Sequence, residues 1–485
     1  MKLNRDIQKI LDTFANGGLE VAIVGGAVRD LLLGNEVSDW DLTTNAKPEE
    51  ILKLFKKAFY NNVFGTVGIS VSDADKPSIV QITTYRKEEK YTDSRHPDVI
   101  VWGNNLEEDL ARRDFTINAM ALRLRSGQAL RFSKTKTSKS SNIHFSQENL
   151  LEASLPMSNF QLVDPFGGQS DLKKKIIKTV GDADSRFRED ALRLLRAIRF
   201  AATLGFSLEK ETFEAIKKNA QLLKKISGER IRDELLKIIE SENAASGIFL
   251  ARDAGILTIF LPELDVCFNV EQKSPKRHHV FDVGTHCVMS LRHCPSKDAI
   301  TRFATLLHDI GKEKVANMTE EGVRTFYNHE VIGGRQAATI AKRLNLSKIQ
   351  REKLFKLVRF HQFTVDEKQT DKALRRFIKN IGVENIENMM DLRIGDRLGG
   401  GLQQPESWRL KLFRQRLKEV MKKPFTVSDL KINGHDVMKI LNLKPGPGVG
   451  KVLSKLFEEV SEDSKKNTKE YLLLRVVTFK KNSTV

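Results

Sequence analysis

The chain predicts an α/β head followed by a long all-α body, and three observations carry this expectation. Runs rich in β-branched residues, Val21-Ala-Ile-Val24, Val67-Gly-Ile-Ser-Val71 and Ile79-Val-Gln-Ile-Thr-Thr84, fall early in the chain and have the composition of strands. From Asp184 to about Leu261 apolar residues recur at spacings of three and four, as at Leu192, Leu195 and Ile198, the period of an amphipathic helix. Helical patterning continues to the C-terminus, broken at Gly399-Gly-Gly401 and Pro445-Gly-Pro-Gly448, both turn-forming clusters.

In order, a short helix over Ile7–Phe14 precedes strand 21–24, a Gly25-Gly26 turn and a helix Ala27–Leu33 stopped by Gly34. Between 126 and 160 the composition shifts; Ser133-Lys-Thr-Lys-Thr-Ser-Lys-Ser-Ser141 is low-complexity and reads as a solvated loop. A length of 485 residues suggests roughly three domains at about 150 residues each. The apolar content of 40% is enough for real cores and excludes a disordered or collagen-like chain. No run of about 18 apolar residues is present, which excludes a spanning helix, and the start MKLNRDIQKI lacks the apolar segment of a signal peptide. The three cysteines, Cys267, Cys287 and Cys294, form no CxxC pair, as expected of a cytoplasmic protein. A net charge of +18 points to a polyanionic partner, nucleic acid first.

The head carries a recognisable chemistry. Asp39 and Asp41 are spaced i, i+2, which in a strand aims both carboxylates at one face. Hard oxygen ligands at that spacing suit Mg²⁺, and two such ions would activate an attacking hydroxyl and stabilise leaving pyrophosphate. Gly25 and Gly26 lie at a strand-to-helix turn, where free N–H groups and the helix N-terminus favour a triphosphate. Arg29, one turn into the helix, adds a charge-assisted contact. A lone Gly-Gly turn or a lone DxD is usually only a turn or a strand end. Together, within 17 residues, they point to nucleotidyl transfer.

The segment GGAVRDLLLG…DWDLTT resembles the signature of class II tRNA nucleotidyltransferases, the CCA-adding enzymes and their bacterial poly(A) polymerase relatives. Arg112-Arg113-Asp114-Phe-Thr-Ile-Asn118-Ala-Met-Ala121 is similar to the second family motif, which implies contacts from Arg112, Arg113 and Asp114 to the nucleotide and its sugar, with Asn118 holding the site. Asp164-Pro-Phe-Gly-Gly168 followed by Asp171-Leu172 resembles the hinge between head and neck. The resemblance implies a nucleotidyltransferase head on a mixed β-sheet (1–165, with an insertion at 126–160), a helical neck (166–265), a metal-binding region (266–400) and a helical tail (401–485).

The fourth motif, Glu189-Asp190-Ala-Leu-Arg193, can be read chemically. Placed i, i+3 on one helix, Asp190 and Arg193 would face the same way. A carboxylate accepts from the exocyclic amino group of C or A, and a guanidinium donates to the adjacent ring nitrogen. G and U present the opposite pattern. The resemblance implies that this pair selects CTP and ATP without a nucleic-acid template. Arg196 and Arg199 continue the row, as phosphate contacts or as a solvated stripe. Ser227-Gly-Glu-Arg-Ile-Arg-Asp-Glu-Leu235 resembles the fifth motif, with a structural role for Glu229 and Arg230.

Tyr85-Arg-Lys-Glu-Glu-Lys-Tyr91-Thr-Asp93-Ser-Arg95-His96-Pro97 resembles the flexible loop that separates full CCA addition from CC addition. Addition of A alone remains a competitor. The stretch Asn61-Asn-Val-Phe-Gly65-Thr-Val-Gly68 looks like the CCA-adding form rather than a poly(A) polymerase. Two positions depart from the family pattern: Gln81 stands where a carboxylate is common, and His96 where a second Arg is common.

Six of the ten histidines fall between 278 and 329. His286, His308-Asp309, His329, His361 and Asp396 follow the order H…HD…H…H…D, and Leu306-Leu-His-Asp-Ile-Gly-Lys312 resembles the HD superfamily of metal-dependent phosphohydrolases. This implies a divalent metal at those six residues and, as substrates, 2′,3′-cyclic or terminal phosphates on RNA ends. Asp391 is the rival for the last ligand; His278, His279 and His293 are read as ordinary residues. The tail, from Ser428 through Gly450 and Asn467, resembles a tRNA-holding segment whose lysines, like basic residues of the neck, would meet phosphates. The partners implied are tRNA, CTP and ATP, with no membrane. The rival from another class is an RNA-end-binding protein in which only the HD centre is active.

Overall fold

Four consecutive apolar residues, Val21–Val24, form strand β1 in the computed structural model, and all four are buried. The structure describes residues 5–37, 39–60, 65–73, 76–89, 99–103, 105–125, 159–272, 281–320, 322–363, 365–366, 369–421 and 427–481. The loop 85–97, the Asn61–Gly68 stretch and the insertion 126–160 therefore lie partly or largely outside the described residues, and His96, His278 and His279 wholly so. The chain forms two units, Met1–Asp265 and Val266–Val485.

In the first unit β1 is joined by β2 (Asp41–Thr44), β3 (Ala58–Tyr60), β4 (Thr66–Asp73), β5 (Lys76–Thr84), β8 (Ala121–Leu124) and β9 (Phe160–Val163). They form one sheet in the order β3-β4-β5-β2-β1-β8-β9, while β6 (Arg86–Glu89) and β7 (Val99–Trp102) pair separately. The β2–β5 pair is parallel and the others antiparallel, so the sheet is mixed. Phe160, read as the end of a solvated insertion, instead opens β9: it is buried and lies opposite Leu124. An aromatic side chain at that register gains more from the sheet's apolar face than from solvent.

Helix α1 (Arg5–Asn16) buries Ile7, Ile10, Leu11 and Phe14, the i, i+3, i+4, i+7 stripe of a helix on a sheet. Helix α2 (Gly26–Leu33) ends at Gly34, whose left-handed φ of 75° lets its N–H close on Asp30 and Leu31, a glycine C-cap. Helices α3 (Pro48–Leu54) and α4 (Leu106–Ala111) complete the head.

The chain continues through α5 (Gly168–Lys174), α6 (Ala183–Glu189), α7 (Leu192–Leu204), α8 (Lys210–Asn219) and α9 (Gly228–Glu240). Buried Leu194, Leu195, Ile198 and Ala201 give α7 its core face. The neck and the region beyond it are not wholly helical. Ile176–Ile177 pairs in parallel with Ser207–Leu208, and Asn317–Met318 pairs with Arg324–Thr325. These ladders are two residues long and satisfy backbone groups where the helices leave off, so no periodic signal marks them.

Asp114 joins head to neck. Its Oδ2 accepts from Arg196 Nε at 2.9 Å and its Oδ1 from Phe115 N–H at 2.8 Å and Asn118 Nδ2 at 3.2 Å. Burial opposes the charge, but Arg196, Arg193 and Asn118 outweigh it and hold the carboxyl well below the usual carboxylate range.

Apart from the short pair of Asn317–Met318 with Arg324–Thr325, the second unit is mainly helical. Val283–His293, Ala299–Leu307, His329–Arg343, Lys348–Phe360, Asp371–Ile381 and Ile386–Gly399 are its longer helices before the tail. The tail has its own core, including Leu430, Ile432, Val437, Leu456, Leu472 and Val476. Among the described residues no helix is long and apolar enough to cross a membrane. All three cysteines are buried, and none forms a disulfide among the described residues.

A carboxyl whose folded pKa is depressed contributes stability that is fully present above its unfolded value, about pH 4, and is lost as pH falls through the lower folded value. Asp114→Asn is therefore expected to cost about 2 kcal/mol near neutral pH. Its Tm deficit, followed by circular dichroism, should shrink steadily below about pH 4. A deficit independent of pH contradicts the assigned role.

Candidate active site and candidate metal centre

Two glycines set the geometry of the head site. Gly25 has φ +72°, and a Cβ there would lie 2.8 Å from Arg113 Nη1 and 3.6 Å from Asp41 Oδ2. The backbone conformation thus favours glycine, and a side chain there would displace the Arg113 guanidinium. Burial lifts the Asp41 carboxyl above its ordinary value, Arg113 opposes this, and the charge of Asp39 adds to it. A carboxylate under desolvation beside a like charge is stabilised by a cation, so the donor set fits Mg²⁺.

Asp39, however, is not in the strand. β2 begins at Asp41 because its partner β1 ends at Val24 and the chain turns away at Gly25. Asp39 is exposed in the preceding bend, so strand alternation does not place the two carboxylates; proximity before the strand does. Gln81 is the direct partner of Asp41 in the β2–β5 ladder, which sets its side chain on the same face.

Arg29 donates from Nη1 to Asn118 Oδ1 at 2.9 Å, and from Nε and Nη2 to the Asp30 carboxylate, also at 2.9 Å. Sequence reasoning passed over Asp109. It is fully buried, lies 2.7 Å from Arg112 Nη2 and 3.5 Å from Arg113 Nη2, and accepts from Thr43 at 3.3 Å. Arg112 and Arg113 outweigh its burial and lower its pKa. The signal was present as Asp109 at i−3 and i−4 from two arginines on one helix turn.

The neck pair is also built differently from expectation. Asp190 is not on the helix of Arg193: it occupies an extended link (φ −138°, ψ 105°) between α6 and α7. Its Oδ1 accepts from Leu192 N–H at 3.0 Å and its Oδ2 from Arg230 Nη2 at 3.0 Å. Carboxylates favour this position, where a following helix presents free N–H groups. Arg193 donates to Glu189 Oε2 at 2.6 Å, to the Arg186 carbonyl at 3.2 Å and to the Arg112 carbonyl at 3.0 Å. Arg230 thus orients Asp190, while Glu229 is exposed.

Arg196 and Arg199 form no solvated stripe. Arg196 holds Asp114, and Arg199 lies 2.7 Å from Glu234. Burial pushes the Arg199 pKa down to about 10, against the pull of Glu234. Phe200 lies beneath Arg29, Arg196 and Arg199, with guanidinium carbons 5.4, 5.4 and 3.9 Å from its centroid. Residues from the first, second and fourth motifs therefore share one network in which Arg29, Asn118, Asp114 and Arg196 are linked in series.

A second cluster lies in the other unit. His308 and Asp309 follow the helix Ala299–Leu307 rather than sitting within it. Asp309 Oδ2 is 3.4 Å from His286 Nε2 and 3.3 Å from His308 Nε2; its Oδ1 is 3.3 Å from His329 Nε2 and 3.5 Å from His361 Nε2. Asp396 Oδ1 lies 3.2 Å from His286 and 3.6 Å from His308. Asp391 faces Ser296 and Arg414 instead. Two groups suited to a cation result, His286, His308 and Asp309, and Asp309, His329 and His361, sharing Asp309.

Tautomers test the fit. Nδ1 of His308, His329 and His361 each lies 2.8 Å from a backbone carbonyl, of Thr305, Phe326 and Val358. An N–H there leaves each neutral ring's Nε2 lone pair facing the carboxylates. Burial disfavours charge on His308, yet Asp309 and Asp396 push its pKa up to about 10, and Asp309 itself is held well below the carboxylate range. The centre demands positive charge, which a divalent cation supplies in the donor set it prefers. Gly311 makes the approach possible: a Cβ there would lie 2.1 Å from the His329 carbonyl and 2.5 Å from Gly333 N.

The mixed sheet with a Gly-Gly turn, paired acids and a buried arginine network defines a nucleotidyltransferase-type head on a helical body. Residues 21–136 match the poly A polymerase head domain, 205–268 the "Probable RNA and SrmB-binding site of polymerase A", and 331–476 tRNA nucleotidyltransferase domain 2. The chain is 43% identical over 230 residues to a CCA-adding enzyme of Lactobacillus helveticus (47% of this chain, 48% of the relative). It is 28% identical over 470 residues to one of Lactococcus lactis (96% and 95%). The alignment to the first of these relatives spans about half that relative's length. A crystal structure of a Bacillus stearothermophilus CCA-adding enzyme in complex with CTP superposes with a TM-score of 0.66 at 25% identity, covering 99% of each chain. The chain is thus similar, over its head and over most of its helical body, to tRNA nucleotidyltransferases and poly(A) polymerases.

The position of Gln81 beside Asp41 makes it a test of the metal assignment. Gln81→Glu is expected to lower the Mg²⁺ concentration needed for half-maximal nucleotide incorporation by about tenfold, measured by Mg²⁺ titration. An unchanged requirement would remove Gln81 from the metal's surroundings.

Proposed function

We propose that the chain is a Mg²⁺-dependent tRNA nucleotidyltransferase that adds CCA to tRNA 3′ ends from CTP and ATP without a nucleic-acid template. The observation that carries this reading is the hydrogen-bonded network joining the neck residues Arg193 and Arg196 to Arg112 and Asp114 in the head. Asp39 and Asp41 would hold Mg²⁺, which supplies activation of the RNA hydroxyl and neutralisation of pyrophosphate. The Gly25-Gly26 turn offers N–H groups to the triphosphate. Arg29 and Arg113 add charge beside that turn, and Asp114 and Asn118 keep Arg29 and Arg196 in place. Asp190, steadied by Arg230, and Arg193 present an acceptor and a donor to the base edge. The positive net charge favours tRNA phosphates, with basic neck and tail residues as the contacts. The buried thiols, none of them in a disulfide among the described residues, suit a cytoplasmic location.

For the second centre the reading is a divalent-metal site with phosphohydrolase chemistry on RNA-end phosphates. His286, His308, Asp309 and Asp396 would hold one ion, and Asp309, His329 and His361 a second. The ion supplies Lewis-acid polarisation of a phosphate ester.

Incubation with a tRNA lacking CCA, Mg²⁺ and labelled CTP or ATP tests the main reading. C and A should both be incorporated. Incorporation of A alone onto tRNA ending in CC would select the A-adding variant, and long A tracts a poly(A) polymerase. No incorporation would leave the RNA-end-binding alternative with an active HD centre. Asp190→Ala should lose C/A selectivity or rate while retaining tRNA binding; normal rate and normal rejection of GTP and UTP would refute the template. Metal analysis of His308→Ala against wild type should show a loss of bound metal, and equal content would reject the ligand assignment.

A further inference from the structure

The cavity over the second centre, about 410 Å³, is lined by five of the six ligand residues, all but His308, and by further side chains. Lys312, Gln272 and Arg324 line it besides the histidines, together with Arg393, paired with Asp396 at 3.0 Å, and Glu330, paired with Arg359 at 3.6 Å. Lys312 Nζ lies 2.6 Å from Asp309 Oδ2 and donates to Gln272 Oε1 at 2.7 Å. The Gln272 amide, only 2% exposed, has its Nε2 without a hydrogen-bond partner among the described residues. Arg324 is half-buried in the wall and makes no ion pair among the described residues. Unpaired buried N–H groups are costly unless a ligand accepts from them. The uncommitted N–H groups of Gln272 and Arg324, beside the Asp309 carboxylate, fit a phosphate oxygen.

Tyr327 is the remaining feature. It lines the same cavity yet is 78% exposed, an unusual state for an aromatic ring in a monomer's surface without a ligand to cover it. It is held there by the turn that presents a metal ligand. Asn328 takes a left-handed φ of 61° and starts the helix at His329, whose Nδ1 faces the Phe326 carbonyl at 2.8 Å. The backbone that aims His329 into the centre therefore places Tyr327, two residues earlier, in the cavity wall.

We propose that Tyr327 is the base-stacking platform of this cavity and Arg324 its phosphate anchor, so that the site takes a phosphate ester carried by a nucleoside rather than a base-free phosphate. Aromatic rings stack on any base, which suits an RNA end of unspecified sequence. The assignment rests on the reading of the centre as a phosphohydrolase and names its substrate class. In the reaction, water contributes the oxygen of the new P–O bond, the ester P–O bond breaks, and water's proton passes to the departing alkoxide.

The test uses the full chain loaded with Mn²⁺, with adenosine 3′-phosphate and ribose 5-phosphate as probes and His308→Ala as the background. Wild type should hydrolyse the nucleotide with a kcat/KM well above that for the sugar phosphate. In Tyr327→Ala that ratio should fall about tenfold, mainly through KM, whereas Tyr327→Trp should keep it. Arg324→Ala should raise KM for both probes. A ratio unaltered by Tyr327→Ala, with both probes hydrolysed, would overturn the platform and leave the phosphohydrolase reading standing. Hydrolysis of neither probe above the His308→Ala background would overturn that reading and the platform with it.

Discussion

A buried carboxylate keeps its charge only when other groups answer it, and the arrangement of the first unit depends on how Asp114 is answered. Arg196 reaches it from α7, Asn118 from its own turn, and the Phe115 amide from the next residue. Asn118 passes the constraint to Arg29, and Arg29 packs with Arg196 and Arg199 over Phe200. Through this series, the helix that carries Arg193 is set against the segment Arg112–Asp114. Arg113, in that same segment, is the positive group that opposes the burial of Asp41, so the proposed base-reading helix and the proposed metal carboxylates flank one stretch of chain.

The second unit solves the converse problem. Asp309 and Asp396 bring negative charge into an apolar setting of helices, and no nearby lysine or arginine suffices: Lys312 reaches one oxygen of Asp309, Arg393 one of Asp396. The rest of the balance falls to imidazoles whose tautomers are set by backbone carbonyls. Such a centre is built to hold a cation, and the close approach at Gly311 is what brings His329 to it.

Much of this was legible in the residues themselves. β1 was read to its ends, and the Gly25-Gly26 turn and the α7 core face follow from patterning, while Asp309 and the five residues around it follow from their order and the HD resemblance. What escaped shares a cause: it depends on where elements stop. Asp39 precedes β2 because β1 ends at Val24, and Asp190 falls in a link because α6 ends at Glu189. Phe160 joined the sheet because a strand returns after the insertion. Element ends are decided by pairing partners and caps, which a period of 2 or 3.6 does not encode. Asp109 and Phe200 were missed for a different reason: each acts through tertiary neighbours while looking locally like an ordinary helical residue.

The claim that head and neck act as one selecting site is tested most directly by a double-mutant cycle. Asp114→Asn and Arg196→Gln, singly and together, would be compared by the ratio of CTP to UTP incorporation onto a tRNA lacking CCA. Coupled residues predict that each single variant loses discrimination and that the double variant loses no more than the worse single, a coupling of about 1–3 kcal/mol. Losses that simply add would show the two residues acting independently and would contradict the account.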